Sequence, residues 1–87
     1  MMKLTDAYRK VKDLPENKKL FLVECLDFGE FWGFAFCDRC PTEENPVGGI
    51  GFDTVDKATG QISYFYPTDN LKLFDKAVGV SIEALMD

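Results

Sequence analysis

The stretch richest in reactive groups is Cys37-Asp38-Arg39-Cys40-Pro41. Two thiols at this spacing serve either as a redox dithiol or as half of a zinc site. Redox use needs a thiolate stabilised by a helix N-terminus or a nearby cation. Here the pair closes a strand and enters an acidic, proline-punctuated loop. In that loop Glu43 and Glu44 oppose ionisation and only Arg39 favours it. Zinc asks for more ligands than one such pair supplies, and the chain has no histidine. Cys25 and a carboxylate would have to complete the set. The reading is incidental thiols with no metal and no cofactor; a cysteine-based metal or redox protein using Cys37 and Cys40 is the alternative.

Other constellations are weaker. Without imidazole there is no Ser-His-Asp or Cys-His system. Gly48-Gly49-Ile50-Gly51 precedes a strand, so it lacks the helix N-terminus that holds a phosphate. Asp27-Phe28-Gly29 spells a kinase magnesium triplet, but the chain is too short for a kinase and the triplet reads as a hairpin turn. The carboxylate pairs Asp27 with Glu30 and Glu43 with Glu44 fall in turns and loops, where water keeps both members ionised. No catalytic residue is assigned.

The elements that must position these groups follow from periodicity. Residues 1–87 make a single domain. Leu4, Ala7, Tyr8 and Val11 lie on one helical face, and Pro15 closes that helix at Leu14 or before it. Residues 18–27 read as a strand with apolar residues on both faces, Phe21, Val23 and Cys25 alternating with Leu20, Leu22, Glu24 and Leu26. Residues 31–38 read as its hairpin partner. Residues 50–56 and 61–66 form a second hairpin, with Gly60 placed for positive φ. A short helix follows, capped by Thr68 or Asp69, with Leu71, Phe74 and Val78 inward. The last residues read either as a short strand over 78–82 or as a helical turn through Leu85. The fold class is α+β: an N-terminal helix packed on a four-stranded antiparallel meander, with a short second helix near the C-terminus.

The second strand separates large from small residues. Trp32, Phe34 and Phe36 share one side; Gly33, Ala35 and Cys37 share the other. Either the helix lies on the small side and leaves an aromatic patch for a partner, or the aromatic side is the core and the small residues point outward. The first arrangement makes Trp32 and Phe34 anchors for a protein partner, with Phe52, Tyr64 and Tyr66 extending the patch where the register allows, and also permits a homodimer through the sheet.

Charge divides the chain. Residues 1–19 carry +3 and residues 20–87 carry −8, giving the net −5. An acidic body disfavours nucleic acid and suits a basic partner. No apolar run spans a bilayer and no export signal precedes the first helix, so the expected compartment is the cytoplasm, without membrane contact.

Val47-Gly48-Gly49 leads into a strand ending Val55-Asp56-Lys57, and Thr59-Gly60 turns into the next. Upstream stand the aromatic strand with Trp32 and the N-terminal amphipathic helix. This arrangement resembles the YrhB-like immunity domain of bacterial polymorphic toxin systems, over residues 1–66 in order of elements and over 47–62 by motif. The resemblance implies a non-enzymatic protein that binds and neutralises a cognate toxin in the cytosol, with no catalytic residues. Charge adds that the toxin domain would be basic. The expected contacts are Asp38, Glu43 and Glu44 in the acidic loop, with Trp32 and Phe34. A self-associating structural module of unknown role is the remaining reading.

Overall fold

The computed structural model describes residues 2–37 and 51–85. Helix α1 (Leu4–Lys12) forms where the apolar stripe predicts it, and Ala7 and Val11 are fully buried. Asp6 in its first turn and Arg9, Lys10 and Lys12 in its last complement the helix dipole. It ends at Lys12, ahead of Pro15.

Five strands follow: β1 (Phe21–Asp27), β2 (Phe31–Cys37), β3 (Phe52–Asp56), β4 (Ile62–Phe65) and β5 (Val78–Val80). They form one antiparallel sheet in the order β4-β3-β2-β1-β5. The four-stranded meander is as expected, and β5 adds a fifth strand on the far side of β1. Gly29 (φ 90°) and Gly60 (φ 76°) take the positive φ that their turns require. The second turn is fixed by Asp56, whose Oδ1 accepts from the backbone N–H groups of Ala58 (2.8 Å) and Thr59 (2.9 Å). These bonds, that from Thr59 first, hold its carboxyl below the usual carboxylate range.

Simple alternation fails in β1. The register passes from Leu22 opposite Phe36 to Glu24 opposite Ala35, so Val23 is the extra residue of a β-bulge. The bulge puts Leu22 and Cys25 on the same side, where both are buried, and leaves Glu24 exposed on the other. Without it, burying Cys25 would expose Leu22.

The choice between the faces of β2 is resolved in favour of an aromatic core. Helix α1 lies over Phe34 and Phe36, with the Tyr8 ring 5.9 Å and 6.2 Å from theirs. Phe34 is 0% exposed, so it reaches no partner and is a core residue. Helix α1 occupies this face, so the aromatic residues beneath it are covered within the domain. The small face is covered too. The Phe28 ring folds down onto Gly33, where a Cβ would collide with it, and Ala35 is fully buried. Phe28 stacks on Phe31 (4.8 Å) and meets Phe74 edge-on (4.9 Å), and Phe74 packs against Phe52 (5.1 Å). A sheet buried on both sides explains the chain's many phenylalanines.

Phe74 comes from α2 (Leu71–Asp75), which follows a 3-10 turn at Pro67–Asp69. The expected cap is absent, because Asn70 occupies the N-cap and makes no side-chain cap bond. Of the three residues expected inward only Phe74 is; Leu71 is 68% and Val78 64% exposed. Five residues make too short a helix to present a continuous apolar face. Both C-terminal alternatives occur in succession: β5, then a 3-10 turn at Glu83–Leu85 whose Leu85 joins the core.

At one end of the sheet Lys57 is buried. Its ammonium donates to Asp27 Oδ1 at 2.8 Å and sits 3.9 Å from the centroid of the Trp32 ring. Trp32 Nε1 donates to the Met2 carbonyl (3.3 Å), and Met2 N donates to the Lys57 carbonyl (2.7 Å). Trp32 is therefore engaged inside the fold. The Lys57 contact, ahead of the Gly29 N–H, holds the Asp27 carboxyl below its usual range. A depressed carboxylate contributes stability above its ordinary pKa of 3.8 and loses it as pH falls through the folded value. Asp27→Ala strands a buried ammonium and is expected to cost about 1–3 kcal/mol in urea unfolding at neutral pH. The gap from wild type should narrow on acidification below 3.8. In Lys57→Met the stranded group is instead a partly exposed carboxylate, which water can reach, so the loss should be smaller.

Candidate functional site

The opposite end of the sheet holds a cleft of about 590 Å³. Its construction begins in the turns between α1 and β1. The Lys12 ammonium gathers the carbonyls of Asn17 (3.0 Å), Lys18 (3.3 Å) and Leu20. Asn17 is buried, 3% exposed, and its Nδ2 donates to the Val11 carbonyl (2.8 Å) and to Asp53 Oδ2 (3.0 Å). One amide thus ties the end of the helix to β3 and brings Glu16 beside Asp53.

Asp53 lies on the helix side of β3, between Phe34 on β2 and Tyr64 on β4. The Tyr64 ring rests on Gly51, whose missing side chain makes room for it. Tyr64 and Tyr66 meet edge-to-face at 5.2 Å, and both are about half exposed at 50% and 48%. They belong to the β4 edge of the sheet, where residues 61–67 carry no charge.

Electrostatics set Asp53 apart from Asp27 and Asp56, whose carboxyls are held low. Burial pushes its carboxyl above the usual range, the Asn17 bond opposes that shift, and the charge of Glu16 adds to it. Burial also raises the Tyr64 phenol, the Gly51 N–H partly opposing. The cleft can therefore accept hydrogen bonds or a cation through Glu16 and Asp53, and offers an aromatic face beside them.

The chain matches no family model, no curated protein and no solved structure.

The residues singled out by sequence are dispersed. Trp32 and Phe34 are committed to the fold, as described. Asp38, Glu43, Glu44 and Cys40 lie outside the described residues. Cys37 ends β2 opposite Phe21, while Cys25 projects from the other face into the core. Those two thiols cannot share one ion, so Cys25 does not complete a site with Cys37. Burial, then the charges of Asp27 and Glu24, push the Cys25 thiol up to about 12, which leaves it un-ionised at neutral pH. Among the described residues no group of three or more His, Cys, Asp or Glu is placed to hold a metal. No helix among them is long and apolar enough to cross a membrane.

Sequence reasoning missed Glu16, Asn17 and Asp53. A signal existed for one of them: in Asp53-Thr54-Val55 the carboxylate shares a face with core Val55, so it interrupts the inward series. A raised carboxyl pKa favours the folded state while the group is protonated, and that contribution is lost as pH rises through the folded value. Asp53→Asn keeps an oxygen for Asn17 and removes the charge. It is expected to raise stability at neutral pH by several tenths of a kcal/mol. The gain should vanish below 3.8, where the wild-type group is protonated in both states; denaturant titration at two pH values checks it.

Proposed function

We propose that this domain is a non-enzymatic binding protein of the immunity type, holding and neutralising a basic toxin domain in the bacterial cytoplasm. The observation that carries the reading is the exposed Tyr64–Tyr66 pair on an uncharged sheet edge, adjoining a cleft rimmed by Glu16 and Asp53. Tyrosine is enriched among the residues that dominate binding energy, because it buries much area at little conformational cost. An edge strand offers unpaired backbone groups beside those rings. The −8 carried by residues 20–87 would draw a cationic partner and speed its approach. The resemblance to the YrhB-like immunity domain supports the same role. The contact surface is moved from Trp32 and Phe34 to Tyr64 and Tyr66.

The test starts from the neighbouring genes: if one encodes a large secreted protein, its C-terminal domain is co-expressed with this chain, and the absence of any such gene would count against the reading. Growth should be rescued, and the two proteins should co-purify in a salt-sensitive complex. Tyr64→Ala with Tyr66→Ala should weaken that complex by roughly thirtyfold or more, with the melting temperature confirming an intact fold. Toxicity unrelieved by the chain, with no complex formed, would remove the reading.

A further inference from the structure

The cleft beside Tyr64 has a composition that selects among cationic side chains. Its walls are apolar where Leu20, Phe36 and Ile62 line it, and its rim carries the carboxylates of Glu16 and Asp53. Asp53 Oδ2 is taken by Asn17, while no described residue donates to Oδ1. Lys12, at the end of the helix, does not line the cleft, and its ammonium is bound to three backbone carbonyls.

We infer that this cleft receives an arginine side chain from the protein partner, an inference that takes the existence of that partner from the binding role proposed above. The three-carbon stem of arginine suits the apolar walls. Its planar guanidinium presents several donors at once, so one edge can meet Asp53 Oδ1 while another reaches Glu16. The same plane stacks on an aromatic ring, and Tyr64 stands half exposed at the rim. Lysine fits less well. Its ammonium is a compact, strongly hydrated charge that loses more on entering a half-buried site and has no plane to lay on the ring. An anionic side chain would meet two carboxylates.

The experiment titrates the isotopically labelled domain with capped arginine, N-acetyl-arginine-N-methylamide, and follows backbone amide resonances. The capped lysine and the uncharged citrulline analogue serve as comparisons. Capped arginine should produce saturable shifts centred on Asp53, Ser63 and Tyr64. Capped lysine should bind several-fold more weakly, citrulline should give no saturation, and added salt should weaken the arginine response. Glu16→Gln and Asp53→Asn should each reduce arginine affinity about threefold to fivefold. Glu16 is exposed, so its variant tests the rim without disturbing the core. Lysine binding as well as arginine, shifts centred elsewhere, or affinities that both variants leave unchanged would overturn the inference. Because the probe is a small molecule, the result is independent of the toxin experiment. Neutralisation of a toxin with a cleft blind to arginine removes this inference alone. An arginine-binding cleft without neutralisation removes the immunity role and leaves the cleft.

Discussion

An ammonium withdrawn from water must be compensated on every side, and at Lys57 the compensation comes from distant parts of the chain. Asp27 supplies the charge from the end of β1, Trp32 supplies a ring face from β2, and the Lys57 backbone bonds to Met2 and to the Glu30 carbonyl. The start of α1 and both hairpin ends are thereby drawn to one point. Asn17 does the matching work at the other end of the helix, bonding Val11 and Asp53. Between them Lys10 donates to the Gly60 carbonyl at 2.6 Å. A nine-residue helix is too short to be stable alone, so its place depends on this lateral attachment and on the apolar seam beneath it.

The two anchors differ in what they leave over. At Lys57 every strong group has a partner within the fold, and the ion pair is directed inward. At Asn17 the tether ends on Asp53, a carboxylate that lines the cleft and takes the Asn17 bond on one of its two oxygens. A half-buried charge that works against stability and is incompletely bonded is the kind of local inconsistency that marks binding surfaces. The rigid helix–strand junction beneath it holds that charge in a fixed position, so a ligand would not have to order it.

Much of the fold was legible in the sequence because it rests on local periodicity. The stripe from Leu4 to Val11, the turns at Gly29 and Gly60, and the alternation in β2 each reveal an element without reference to the rest of the chain. The bulge at Val23 was not legible, because its cause is the demand that Leu22 and Cys25 both reach the core, and that demand exists only once α1 is in place. The double-sided burial of β2 was hidden for a similar reason. Gly33 signals a close approach but not its source, and the approach is made by Phe28, which lies in the adjoining turn. The cleft was the least visible feature. Glu16 and Asp53 are far apart in sequence and are joined through one buried amide, an arrangement that leaves no spacing pattern.

The short strand β5 has a bearing on how the chain is made. It pairs Val78–Val80 with the outer side of Cys25–Asp27 in the first strand of the sheet. Translation delivers β1 early and β5 near the end of these residues, and domains acquire structure from the N-terminus as they emerge. Throughout that interval the flank of Cys25–Asp27 presents bare amide and carbonyl groups, so along those residues the nascent polypeptide is more open to mispairing than the finished domain. Val78 to Val80 thus act as a closing seam whose late arrival sets the window during which a chaperone would matter most.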